Sequence, residues 1–268
     1  MAAKTSNLLA KREAPFGSLF ASTPREARMD PLTITAGAGL RARAEALDLL
    51  ANNLANASTA GFKSDREAYT TYLNEGSGQT TSPVIERHRT DFSQGRLNPT
   101  GDPSHLALDG HGFFQVDGPQ GPLLTRNGAF RITAQGKMVT PDGYEFATAT
   151  PKRIQLAPGA AVEVDPEGAV LLGGEVAGRL KLVQLPAGLQ PAKREGAYFS
   201  LDIRDLPALQ RSSAQVRQGV LESANFSPAE AAVRLVNILR QFETLQKALQ
   251  IGGEMGRRAV EDVARVHP

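Results

Sequence analysis

The chain contains no cysteine, which excludes disulfide frameworks, zinc-thiolate sites, iron–sulfur clusters and thiol nucleophiles. It also has no apolar run of the roughly 18 residues that a membrane-spanning helix requires, so no direct membrane insertion is expected. Excess charge of one sign is nearly absent: 30 Lys+Arg stand against 28 Asp+Glu, and the signs alternate along the chain. A nucleic-acid surface needs a basic stripe, and even the C-terminal stretch from Ser227 mixes six basic with five acidic residues, so no nucleic-acid partner is expected. What is plentiful is punctuation. The 26 Gly and 17 Pro among 268 residues exceed ordinary usage and predict many turns. The length suffices for a core without metal or cross-links, and no cofactor is expected.

Residues 1–28 mix Ser, Thr, Pro and both charges without sustained periodicity, which reads as a disordered leader or a mis-assigned start. Their one apolar patch, around Phe16, is too short for a secretory signal peptide. Met29-Asp30-Pro31 then has the form of a helix start, with Asp as cap and Pro at the first turn. Leu40, Leu47 and Leu54 follow at seven-residue spacing, which suits a coiled-coil seam, and Gly61 offers a left-handed stop. Near the other end Ser227-Pro228-Ala229-Glu230 is a capping box. Beyond it Leu235, Ile238, Phe242, Leu245 and Leu249 alternate spacings of three and four, continued through Gly252 and Gly256.

Between these stretches the period becomes two. Short strand-like runs around Leu106, Phe113, Leu123, Phe130, Met138 and Phe146 are bounded by Asp109-Gly110, Asp117-Gly118, Asn127-Gly128, Gln135-Gly136 and Asp142-Gly143, all read as hairpin signals. Further strands are predicted at 153–156, 161–164, 169–172, 179–185 and 198–202. The expected fold class is therefore α+β: long N- and C-terminal helices forming a coiled coil and bracketing a central antiparallel β-rich domain. The expected divisions are residues 1–28, an N-terminal helix and motif over 29–63, a connecting segment over 64–104, the β-rich domain over 105–216, and a C-terminal helix over 217–268.

Four stretches carry a resemblance. Asn52-Asn53-Leu54-Ala55-Asn56-Ala57-Ser58-Thr59-Ala60-Gly61-Phe62-Lys63 resembles the N-terminal signature of the bacterial flagellar basal-body rod and hook protein family. Asp109-Gly110-His111-Gly112-Phe113-Phe114 is similar to that family's Gly-x-Gly-Phe-Phe turn, and Thr125-Arg126-Asn127-Gly128-Ala129-Phe130 to its Thr-Arg-Asn-Gly-x-Phe hairpin. Gln218-Gly219-Val220-Leu221-Glu222-Ser223-Ala224-Asn225 is similar to its lead-in to the terminal helix. The resemblance implies a structural subunit of the rod, exported from the cytoplasm by the flagellar type III apparatus without a cleaved signal peptide. It further implies a place in the periplasm-spanning rod of the basal body. The implied partners are other rod and hook subunits, the export apparatus and further copies of the chain. The short segment between Lys63 and Asp91 favours a proximal rod type over a distal rod or hook type.

The expected assembly interface comprises Leu40, Leu47, Asn52, Asn53, Leu54, Asn56, Leu235, Phe242, Leu245 and Leu249. Gly61, Phe62, Lys63, Gly112, Phe113 and Phe114 are carried as family-motif residues. The alternative of a different class is a β-rich carbohydrate-active enzyme, which would work through two carboxylates facing across a cleft; Asp117, Asp142 and Glu145 are turn or near-turn residues and speak against an enzyme. No catalytic or metal-binding residues are assigned. His105, Asp109 and His111 span a turn rather than one strand face and are not credited as a metal site.

Overall fold

A computed structural model describes residues 31–70, 84–151, 153–157 and 159–265. Helix α1 (Pro31–Ala55) leads through a turn into β1 (Asp65–Thr70), which pairs antiparallel with β2 (Val84–Thr90). There follow β3 (Leu97–Pro99), β4 (His105–Asp109), β5 (Phe113–Gly118), β6 (Gly121–Thr125), β7 (Gly128–Ala129), β8 (Arg131–Ile132), β9 (Met138–Val139) and β10 (Glu145–Phe146). Then come β11 (Val162–Val164), β12 (Ala169–Leu172), β13 (Glu175–Arg179), β14 (Leu182–Gln184), β15 (Ala192–Lys193), β16 (Tyr198–Ser200), β17 (Gln210–Arg211), β18 (Gln215–Gln218) and β19 (Val220–Glu222). Helix α2 (Pro228–Arg265) closes the described chain. The segment 153–156, expected as a strand, is not one.

The main sheet runs β15-β16-β6-β5-β10-β9-β8, with β14 and β17 joined to it through the first half of β5. Smaller sheets, β11-β12-β13, β18-β4-β7 and β19-β3, lie beside it. Alternation along β5 divides the apolar interior in two. Phe114 and Val116 enter the main core with Leu106, Leu108, Met138, Phe146 and Tyr198. Phe113 points the other way, into a second cluster with Leu124, Val183 and Phe199, against which Phe92 stacks edge-on at 5.6 and 5.3 Å.

Three of the five Gly-containing dipeptides turn true hairpins: Asp117-Gly118 between β5 and β6, Gln135-Gly136 between β8 and β9, Asp142-Gly143 between β9 and β10. The other two do not. Asp109-Gly110 and Asn127-Gly128 are corners, where the chain passes between the β18-β4-β7 sheet and the main sheet. At the second corner the Asn127 side chain accepts the Ala129 N–H at 3.0 Å. A Cβ on Gly128 would meet the Leu106 carbonyl oxygen, so the side chain is excluded by β4 itself.

The coiled-coil expectation fails. α1 is described over 25 residues against 38 for α2, and the two meet through a small cluster of Ala46, Leu50, Ala231 and Ile238, with Leu47 and Phe226 at its edge. Leu54 is 48% exposed and Leu235 36% exposed, so the seven-residue series is not a buried seam. The buried line on α1 is instead Ala36, Ala42, Ala46, Leu50 and Asn53. α1 is covered from two directions, by α2 and by the β1–β2 hairpin. Small residues face the close approaches, and the leucine series lies beside that line. α2 begins where the capping box placed it, with the Ser227 hydroxyl accepting the Glu230 N–H at 3.4 Å. The helix continues through Gly253 and Gly256, where an added Cβ would meet open space. No helix among the described residues is long and apolar enough to cross a membrane.

Phe114→Ala opens a cavity in the main core and should lower the unfolding free energy by about 3–5 kcal/mol. Ile251→Ala, on the exposed side of α2, should change it by less than about 0.5 kcal/mol. Urea titrations followed by circular dichroism check both.

Candidate functional site: a buried joint between helices and β-domain

The motif stretches converge. Lys63, at the end of the first motif, is fully buried, and its ammonium donates to the Glu222 Oε1 at 2.6 Å and to the Ser93 carbonyl at 2.6 Å. Glu222, also fully buried, receives the Gly95 N–H on the same oxygen at 2.8 Å, while its Oε2 lies 3.4 Å from the Arg126 guanidinium in an ion pair without hydrogen-bond geometry. Arg126 donates to the carbonyls of Leu108 at 3.3 Å and Gly110 at 2.7 Å, and sits 5.6 Å from the Phe113 ring centre. One carboxylate, 159 residues from Lys63 in sequence, thus gathers a cation from the α1 end and a cation from the β6–β7 corner.

Burial pulls the Lys63 ammonium below its ordinary pKa, against the attraction of Glu222, and burial likewise pulls Arg126 down. Two cations and one anion in a dry site are tolerated because carbonyls solvate the cations. Removing one partner is far costlier than the pair is stabilising, so the arrangement acts as a test of correct geometry.

Asparagines extend the joint outward. The Asn53 side chain pairs with the Asp65 backbone in both directions, accepting from N–H at 3.0 Å and donating to the carbonyl at 2.9 Å. Asn225 does the same work at the other terminus, accepting the Ser64 N–H at 2.7 Å and donating to the Asp91 carbonyl at 2.7 Å. Residues 91–95 are thereby clasped between the two motifs. Gly61 has φ +68°, and a Cβ there would collide with the Arg126 and Asn127 backbone. Its role is close approach as much as helix termination, which occurred six residues earlier at Ala55. Gly112 is held against Ser212, whose hydroxyl donates to the His111 carbonyl at 2.7 Å.

Of the expected interface residues, the structure brings Asn53 into this joint. Asn52 and Leu54 are exposed, and Asn56 caps locally by donating to the Asn52 carbonyl at 3.0 Å. Leu40, Leu47, Phe242, Leu245 and Leu249 are half-buried, Leu245 lying over Gly39. The motif residue Phe62 is fully buried beneath Lys193, whose ammonium is 4.0 Å from the ring centre. Glu222, Arg126 and Asn225 lie within the motif stretches without standing out as site residues; for Glu222 and Arg126 the signal is a lone charge inside an otherwise uncharged motif. Lys193 lies outside every motif.

The remaining titratable candidates go elsewhere. Asp109 pairs with Arg217 at 2.5 Å, the His105 ring contacts Thr100, and Glu145 is held by Lys137 and Arg153 at 2.9 and 2.6 Å. Asp142 accepts the buried Tyr198 hydroxyl at 2.6 Å. Among the described residues no group of three or more His, Asp or Glu is arranged to hold a metal ion.

Two helices are thus held to a β-rich body through one buried carboxylate and its two cations. Comparison with known proteins gives the family. Residues 35–63 match the flagella basal body rod protein family, 107–172 the flagellar hook protein FlgE/F/G D1 domain, and 217–261 the flagellar basal body rod FlgEFG protein C-terminal family. The flagellar basal-body rod protein FlgF of Caulobacter vibrioides is 30% identical over 228 residues, covering 82% of this chain and 93% of the relative. FlgF of Rhizobium meliloti is 29% identical over 201 residues, covering 74% and 83%. FlgG of Borreliella burgdorferi is 27% identical over 254 residues, covering 82% and 94%. The chain belongs to the flagellar basal-body rod protein family and is a structural subunit of the basal-body rod.

Glu222→Gln keeps the shape of the joint but leaves Lys63 and Arg126 buried without a counter-charge. It should cost about 3–5 kcal/mol in a urea titration at neutral pH. A second prediction concerns acid. Burial raises the Asp91 carboxyl, but the hydrogen bonds from Ser93 and the Arg66 charge outweigh it and hold the group below its ordinary value of 3.8. A carboxylate depressed in the folded state contributes stability above its unfolded pKa and loses it as pH falls through the folded value. Stability should therefore decline as pH drops below about 4, and Asp91→Asn should flatten part of that decline in pH-dependent thermal melts.

Proposed function

We propose that the helix pair is the surface through which this rod subunit joins its neighbours, and that the joint fixes that surface against the β-domain. The observation that carries the reading is the apolar stripe left open on α2: Val233, Val236 and Leu239 at successive spacings of three are 64, 47 and 45% exposed, with Ile251 and Met255 at 58 and 65% farther along. An open apolar face of this length is stable only when covered by another surface. The exposed Asn52, Leu54 and Leu235 and the half-buried Leu40, Leu47, Phe242, Leu245 and Leu249 are assigned to the same proposed interface. The partners are other rod and hook subunits, including further copies of this chain, reached after export through the flagellar type III apparatus into the periplasm-spanning rod. The chain is read as a non-enzyme. The segments 29–63 and 217–268 are the assembly part, 105–216 the β-rich body, and 64–104 the connection that carries the hairpin.

Val236→Asp combined with Leu239→Asp tests the proposal, because both side chains are exposed in the subunit and their replacement spares its core. The purified variant should keep its circular dichroism. In a deletion strain complemented with it, rods should be missing and swimming lost, since the interface would bury two unpaired charges at several kcal/mol. Normal swimming would overturn the assignment.

A further inference from the structure

We infer that Lys193 is the positioning residue that sets the tilt of the helix pair against the β-domain. Among the described elements, α1 and α2 pack extensively on each other, and α1 packs on the β1–β2 hairpin. Neither helix packs extensively on a strand of the main sheet. Their orientation is therefore carried by the short stretch Phe62–Asp65 and what grips it. The Lys63–Glu222–Arg126 group grips it on one side. That group and the Asn225 contacts to Ser64 and Asp91 gather in one place, where they fix a position more than an angle.

Lys193 supplies a second anchor. It stands on β15, which pairs with β16, which pairs in turn with β6 in the middle of the main sheet. Its ammonium donates to the Lys63 carbonyl at 2.8 Å and to the Asp65 Oδ2 at 2.7 Å, and lies 4.0 Å from the centre of the Phe62 ring. Asp65 passes the constraint on in both directions. Its backbone is paired with the Asn53 side chain on α1, and its Oδ1 accepts the Thr90 hydroxyl of β2 at 2.7 Å. A continuous line of charged and amide hydrogen bonds thus runs from the sheet through Lys193 and Asp65 to both the helix and the hairpin. With 19% of the Lys193 side chain and 14% of Asp65 exposed, the pair is mostly shielded from water, where such a contact is stronger than on an open surface. The ring contact adds a direction: the ammonium must sit over the Phe62 face to be held by all three partners. The inference stands on these contacts and is independent of what covers the helices in the assembled rod.

The absence of cysteine makes the measurement direct. Spin labels are placed on the full chain at Lys247→Cys on α2 and Glu163→Cys on β11, both exposed positions. The distance distribution is then read by pulsed electron resonance. In the parent the distribution should be narrow. In Lys193→Met it should broaden and its maximum shift, with the far-ultraviolet circular dichroism unchanged, whereas Lys193→Arg, which keeps a cation over Phe62, should stay narrow. A residue that merely adds stability would lower the melting temperature without moving the distances. Asp65→Asn removes the charge of the same contact at constant shape and serves if Lys193→Met does not fold. Parent-like distributions in Lys193→Met, or in Asp65→Asn where that variant must stand in, would overturn the inference.

Discussion

The carboxylate of Glu222 is the point on which the subunit turns. It is fully enclosed, it accepts from the Lys63 ammonium and the Gly95 N–H, and the Arg126 guanidinium completes its surroundings. Each partner arrives on a different stretch of chain: the end of the N-terminal motif, the strand-free segment after β2, and the corner between β6 and β7. Apolar contacts lie beside two of these stretches, Phe62 beneath Lys193 and Phe92 against Phe113 and Phe199, but they do not fix the register. An apolar contact tolerates sliding, whereas a buried charge allows one arrangement and penalises the rest. The joint is thus a device for uniqueness of placement more than for gross stability.

That role explains the crowding of backbone around it. Gly61 is pressed against the Arg126 and Asn127 backbone, and a Cβ on Gly95 would meet the Ser223 carbonyl. Such approaches bring carbonyls within reach of the cations, which would otherwise lack solvation in the dry interior. Asn53 and Asn225 use the same logic at lower charge, each replacing a missing β-ladder by satisfying a backbone N–H and a backbone carbonyl with one amide. The contacts are long-range in sequence, so neither helix can be seated until both ends of the chain and the β-domain between them are in place.

Much of this was legible as motif and little of it as geometry. The capping box at Ser227 and the turns at Asp117, Gln135 and Asp142 depend on local chemistry, and they are where the residues put them. Asn127-Gly128 has the same local chemistry as a hairpin turn, yet it is a corner, because what decides the matter is β4 occupying the space beside Gly128. The leucines at 40, 47 and 54 misled for a related reason. Seven-residue spacing presumes a single partner, but α1 has two, and the line between them is filled by alanines whose small size carries no periodic signal of its own. Lys193 could not be found at all, since nothing about an Ala-Lys pair in a short strand marks a residue whose partners lie 130 positions away.

The division of labour between polar joint and apolar helix surface follows from the subunit having to be complete before it is joined. If the helices were fixed to the β-domain by an extended apolar face, that face would compete with the neighbours for the same side chains on α2. Placing the intramolecular fastening in a compact polar knot leaves the length of α2 open. Val233, Val236 and Leu239 remain exposed without loosening the attachment, because the groups that hold the helix are elsewhere: Glu222 and Asn225 before its first turn, and Ala231, Arg234 and Ile238 toward α1 and β1. The specificity of the polar contacts thus sets the direction of the helix pair, and the unspent apolar area then lies along a line whose angle the joint has already chosen.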